Sequence, residues 1–323
     1  MILAGIDIGT NTLRLLIAET GSASFREIHS DRRITRLGQG LDRTGTLDRE
    51  AAKRSLAVLS DFADSIRRHA AQHTAAIGTS ALRNASNSRE FIKNVKGKTG
   101  LDIRVITGEE EARLTLLGVA HSLKTMGSKR SDPLENSLVI DIGGGSTEVI
   151  ITRPDREPVI ESLPLGAVYL TERFIKSDPP FKKDVTVLRS AIRDELAKKG
   201  REMQPASSSV FVGTAGTITT LAAMDQGLAQ YDSERINRSI LTREAVDNIV
   251  GKLSRMTLEE RRFIRGLEPG REDIIFAGAL VTQEIMEHFG YTSMLVSDWG
   301  LREGIVIDLY KKSSVRQRAQ SRR

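Results

Sequence analysis

One segment pattern occurs twice, at the start of the chain and again near its middle: Gly5–Ile17 reads GIDIGTNTLRLLI and Val139–Ile151 reads VIDIGGGSTEVII. Each has a short aliphatic run, an aspartate, a small-residue turn carrying Gly, Asn, Thr or Ser, and a second aliphatic run. That is the pattern of strand, glycine turn, strand. Repeated in both halves, it implies a duplicated architecture. Three consecutive glycines, Gly143, Gly144 and Gly145, lose much conformational freedom on folding and need a compensating reason. A tight hairpin supplies one. The other is a loop whose bare N–H groups approach an anion, most often phosphate.

Between and after the two copies, strands alternate with helices. Thr46 is placed to cap a helix in which Leu56, Leu59, Ala63 and Ile66 recur at helical spacing. TAAIGTSALRNASN then reads as a strand, a loop and a short helix. IRVITGEEEARLTLLGVAHSL follows as a strand and a helix, with Thr107 as N-cap and Glu110 at the capping-box position. In the second half, SSVFVGTAGTITTLAAM reads as strand, glycine loop and helix, and MLVSDWGLREGIVIDLY as a last strand and a closing helix. The fold class is therefore α/β, with two domains flanking a cleft. The hinge is expected in KTMGSKRSDPLENS, Lys124–Ser137. This gives an N-terminal domain over 1–126, a C-terminal domain over 127–310 and a basic, disordered tail over 311–323.

A length of 323 residues suits about two domains. The chain has no cysteine, which removes disulfides, thiolate nucleophiles and zinc–thiolate sites and fits a reducing cytoplasm. No run of about 18 apolar residues occurs and the N-terminus lacks a secretory core, so no membrane association is expected. The formal charge of +6 equals the two lysines and four arginines of the tail, leaving 1–310 neutral. A basic surface for sequence-specific nucleic-acid binding is therefore not indicated.

Three small-residue loops follow expected strands: DIGTNT from Asp7, DIGGGST from Asp141 and GTAGT from Gly213. Together they suit a polyphosphate cradle. Asp7, Asp141 and Glu148 are hard oxygen donors of the kind that bind magnesium while leaving it several waters. In GEEEARL, Glu109, Glu110 and Glu111 all sit where helix-dipole stabilisation alone would place acids, and periodicity does not choose among them. GKT at Gly97 is not a P-loop, because Ile92 stands where the loop needs glycine; no HExxH motif exists; water is the expected nucleophile.

GIDIGTNTLRLLI, GTSALRNASN, ITGEEEARL, VIDIGGGSTEVI, LPLGAVYLTERF, VGTAGTITTLAAM and WGLREGI occur in the order and spacing of the exopolyphosphatase and guanosine pentaphosphate phosphohydrolase family, which this chain resembles from Ile2 to about Tyr310. The resemblance implies two ribonuclease-H-like domains of the actin, Hsp70 and sugar-kinase superfamily. It selects Glu111 as the catalytic residue, Asp141 and Glu148 as the magnesium (or manganese) site, to which the loop reading adds Asp7, and Arg83 as a substrate contact. Asn11, Thr12, Ser146 and Thr217 match the family's loop hydroxyls and amides. Backbone amides of Gly9–Thr12, of Gly143, Gly144, Gly145 and Ser146, and of Gly213, Gly216 and Thr217 complete the expected cradle. Arg32, Arg33, Arg36 and Arg235 are candidates for holding the rest of a polymer. The implied substrate is inorganic polyphosphate, with pppGpp hydrolysis or a non-catalytic sensor as alternatives and a homodimer as the expected assembly.

Overall fold

The computed structural model describes residues 1–21, 24–124, 134–198, 203–206 and 209–320. Residues 125–133 of the expected hinge lie outside these. Internal packing divides the chain into two units, Met1–Gly118 with Gly300–Arg323, and Val119–Trp299.

The first unit contains β1 (Ile2–Ile8), β2 (Thr12–Thr20), β3 (Phe25–Ile34), α1 (Leu41–Thr44), α2 (Arg49–Arg68), β4 (His73–Gly78), α3 (Ser80–Asn84), α4 (Ser88–Thr99), β5 (Ile103–Val105) and most of α5 (Gly108–Lys124). Its sheet runs β3-β2-β1-β4-β5, antiparallel through the first three strands and parallel through the last three. Period-two alternation gives the sheet two buried faces. Ala4, Ile6 and Ile8 of β1, with Leu13, Leu15 and Ile17 of β2, join Leu59 and Phe62 of α2 and Phe91 and Val95 of α4 in one core. Leu3, Leu16 and Ala18 face the other way.

The second unit contains β6 (Ser137–Ile142), β7 (Thr147–Thr152), β8 (Val159–Leu163), α6 (Ala167–Phe174), α7 (Lys182–Ala197), β9 (Val210–Thr214), α8 (Ala215–Asp225), α9 (Ser233–Ile236), β10 (Ile240–Thr242), α10 (Arg243–Leu253), α11 (Leu258–Arg261), α12 (Ile275–Phe289) and β11 (Ser293–Val296). Its sheet order, β10-β11-β9-β6-β7-β8, repeats that of the first: read from the hairpin edge, β8-β7-β6-β9-β11 matches β3-β2-β1-β4-β5. β10 is an added antiparallel edge. The duplication expected from the two segments is present strand by strand.

The last helix, α13 (Leu301–Gln320), belongs to the first unit. Val306, Leu309 and Tyr310 cover Leu3, Leu16 and Ala18, and a Cβ on Gly5 would stand 2.8 Å from Val306 Cγ2. This corrects the boundary drawn at 126/127, because hydrophobic spacing marks a helix but not the sheet it covers. It also corrects the disordered tail: the helix continues to Gln320, and Lys312 pairs with Asp308 one turn back. The helix start assigned to Thr46 falls at Asp48, whose carboxylate accepts the Ala51 N–H. Where α5 and α13 meet, backbone touches backbone. A Cβ on Gly118 would lie 2.0 Å from the Gly300 carbonyl oxygen, and one on Gly304 1.9 Å from that of Leu114. Among the described residues no helix is long and apolar enough to cross a membrane.

Candidate active site

In each unit the turn between the first two strands is held in the same way. Gly9 N–H donates to the Thr12 carbonyl at 3.1 Å, and Gly143 N–H to the Ser146 carbonyl at 3.0 Å. A Cβ would meet the accepting oxygen at 2.9 Å at Gly9, which requires glycine, and at a tight 3.1 Å at Gly143. Other carbonyls of the turns are tied off by backbone that follows in sequence. Thr35 and Arg36 N–H donate to the Asn11 carbonyl, and Gly38 N–H to that of Thr10. In the second unit the start of α6 does this: Ala167 N–H donates to Gly143, and Val168 and Tyr169 N–H to Gly144. The approach is so close that a Cβ on Gly166 would sit 2.3 Å from the Gly145 carbonyl carbon.

With most of their carbonyls engaged, these turns present their amides. Among the described residues, the N–H groups of Thr10, Asn11, Gly144, Gly145 and Ser146 donate to no protein acceptor. Asn11 Nδ2 and Thr12 Oγ1 are buried without a hydrogen-bond partner. Buried polar groups are almost always satisfied, by protein, water or a bound ligand. Successive unpaired amides in a turn are an anion-binding concavity.

Asp7 and Asp141 occupy equivalent places at the ends of β1 and β6, both 7% exposed. Their cross-strand partners differ: Asp7 stands opposite Arg14, and Asp141 opposite Glu148. Glu148 is 1% exposed, and its Oε1 accepts from Ser146 Oγ at 2.9 Å and Ser162 Oγ at 2.8 Å. Two buried carboxylates facing across adjacent strands form a hard-oxygen pair suited to a divalent cation whose other ligands are waters and phosphate oxygens. Among the described residues no three acidic or histidine side chains gather into a full ligand set.

The three glutamates at the start of α5 separate clearly. Glu109 pairs with Arg113 at 3.2 Å and Glu110 with Arg104, both toward solvent. The Glu111 side chain is only 10% exposed, and Arg83 Nη1 donates to its Oε2 at 3.1 Å. The same Nη1 donates to the Ile106 carbonyl at 2.9 Å. Arg83 is delivered by α3 directly after β4, and Glu111 by the first turns of α5 after β5. Thr107 caps α5 as expected, accepting the Glu110 N–H at 3.1 Å. A candidate base and a candidate phosphate contact, assigned separately in the sequence, are thus hydrogen-bonded to each other.

The third loop needs correction. Gly213 lies within β9, and its Cβ position is 2.6 Å from Met294 Sδ and 3.0 Å from Ile218 Cγ2, so it is glycine for packing. β9 passes into α8 with no intervening loop, Ala215 taking the left-handed φ of 70°. Gly216 and Thr217 form the first turn of α8, Thr217 being 3% exposed. Against Gly216 lies a residue the sequence did not single out, Arg271. It is 5% exposed and ion-paired with Glu268, and a Cβ on Gly216 would stand 2.4 Å from its guanidinium nitrogen. Arg14, also not singled out in the sequence, takes the position of Glu148 when the two repeated segments are superposed.

Two units of one strand order, each turning bare amides outward beside a buried aspartate, define an α/β protein of the actin-like ATPase fold equipped for anionic ligands. The Ppx/GppA phosphatase family model matches residues 16–313. Exopolyphosphatase 2 of Mycobacterium tuberculosis is 34% identical over 320 residues, 95% of this chain and 98% of the relative. The crystal structure of the Aquifex aeolicus member of the Ppx/GppA family has a TM-score of 0.80 at 34% identity, covering 97% of this chain and 98% of that one. An exopolyphosphatase from Cytophaga hutchinsonii gives a TM-score of 0.85 at 27% identity, over 97% and 98%. The chain belongs to the Ppx/GppA phosphatase family.

Proposed function

We propose that this protein is an exopolyphosphatase that releases orthophosphate from the end of inorganic polyphosphate with water as nucleophile. The observation that carries the reading is the buried Glu111 carboxylate bonded to Arg83, in a chain whose two turns present unpaired amides. Turn amides from Thr10–Asn11 and Gly144–Ser146, with Thr12 Oγ1 and Asn11 Nδ2, bind phosphate oxygens. Arg83, fixed by the Ile106 carbonyl, contacts the phosphate under attack while keeping the base in position. Glu111 orients the water and takes its proton. Asp141 and Glu148 would hold a divalent cation, magnesium or manganese, which would supply neutralisation of phosphate charge. Asp7 is the equivalent acid of the first unit. The setting is the cytoplasm, and the expected assembly is a homodimer.

Phosphate release measured on polyphosphates of graded length beside pppGpp tests the substrate. General-base help is worth about 10² to 10⁴ in rate. Glu111→Gln should therefore bind polyphosphate but turn it over at least about a hundredfold more slowly. Turnover near the wild-type rate removes Glu111 from the mechanism.

A further inference from the structure

Ser162 stands in line with the two acids of the candidate cation site. Asp141 on β6 is the cross-strand partner of Glu148 on β7, and Glu148 is the partner of Ser162 on β8. Directly opposed residues share a sheet face. Here it is the face turned away from the core that takes Ile140, Val149 and Leu163. The row therefore reads acid, acid, hydroxyl.

Glu148 is buried, and its Oε1 accepts both the Ser146 hydroxyl at 2.9 Å and the Ser162 hydroxyl at 2.8 Å. The donors come from different elements, Ser146 from the turn and Ser162 from the edge strand. A carboxylate held at one oxygen by both cannot rotate without breaking a bond. Ser162 itself is exposed, yet its strand is anchored. Thr147 Oγ1 donates to the Leu165 carbonyl at 2.8 Å, and the Ala167 and Val168 N–H groups hold the turn carbonyls of Gly143 and Gly144. Residues 162–168 thus wrap the second turn, one end on its carboxylate and the other on its backbone.

From this we infer that Ser162 is a positioning residue for the divalent cation: its hydroxyl fixes the Glu148 carboxylate in the orientation that receives the ion. The inference rests on the reading of Asp141 and Glu148 as the cation site, and not on which phosphate chain is cleaved. Outer-shell donors to a ligating carboxylate govern metal affinity by about 10- to 100-fold. The lower end applies to Ser162, because water reaches an exposed position and takes over part of the bond.

The test compares Ser162→Val with Ser162→Thr, which are nearly equal in shape and differ in the hydroxyl, so effects of packing cancel. Mn2+ alone is titrated against each protein and the free ion is read by electron paramagnetic resonance; the site concerned is the one that Glu148→Gln removes. Ser162→Val should bind Mn2+ about tenfold more weakly than wild type, whereas Ser162→Thr should bind it as wild type does. In phosphate release from polyphosphate, the Mg2+ concentration giving half the maximal rate should rise about tenfold in Ser162→Val, with kcat at saturating Mg2+ unchanged. Equal Mn2+ affinities for the valine and threonine variants overturn the assignment of Ser162. Wild-type Mn2+ binding that Glu148→Gln leaves untouched instead overturns the cation reading beneath it, and the assignment with it.

Discussion

In the proposed reading, the Thr12 side chain weakens one property to supply another. Its hydroxyl is 7% exposed at residue level, with Oγ1 buried and unpartnered, and an unmet buried polar atom costs about 1 to 3 kcal/mol. Thr12→Val keeps the shape and removes the orphan. It should leave stability unchanged or raise it by about 1 kcal/mol in urea denaturation, while raising KM for polyphosphate. A gain in stability with unchanged KM would mean that the hydroxyl faces no ligand. Glu111 teaches a related lesson. Three adjacent glutamates are equivalent by helix periodicity, and what separates them is Arg83, supplied from a different helix. That pairing is tertiary and no spacing rule contains it, so only the family resemblance selected the residue. Arg271, pressed on Gly216 from a distant segment, left no local signal at all. Arg14 did leave one, in the alignment of the two repeats.

At the scale of elements, glycines divide by what surrounds them. Gly304 touches the Leu114 backbone, which cannot yield as a flexible side chain can, so Gly304→Ala should destabilise by about 3 kcal/mol through overpacking. Gly251 lies inside α10 with nothing within 4 Å of its Cβ position. Gly251→Ala should stabilise by about 0.5 to 1 kcal/mol, because alanine restricts the unfolded chain and suits a helix. Chemical denaturation of both variants checks the opposite signs. The strand–turn–strand units were legible because their pattern is local: short aliphatic runs, turn residues, and one motif written twice. Helix capping was legible at Thr107 and displaced at Asp48, where two side chains capable of capping stand two residues apart. The expected Gly213 loop failed for a clear reason: glycine marks close approach as well as turning, and at Gly213 the approach is to Met294 and Ile218.

For the molecule as a whole, net charge is concentrated at one end of the sequence. Ending the chain at Val315 removes four arginines and takes the formal charge from +6 to +2 (6 − 4). The α13 residues that cover the first sheet, Val306, Leu309 and Tyr310, are kept. The shortened protein should bind polyphosphate more weakly at low salt and converge with wild type at high salt, where the Debye length falls to about 3 Å at 1 M. KM measured against ionic strength reads this directly, and parallel curves would dissociate the tail from the substrate. The two-unit layout was visible in the sequence, but the allegiance of the last helix was not. That allegiance makes the second unit an insertion within the first. During synthesis the ribosome releases Leu3, Leu16 and Ala18 first, yet their cover is translated last, whereas Val119–Trp299 is contiguous and can close as soon as it emerges. The domain begun first on the ribosome is therefore the one completed second.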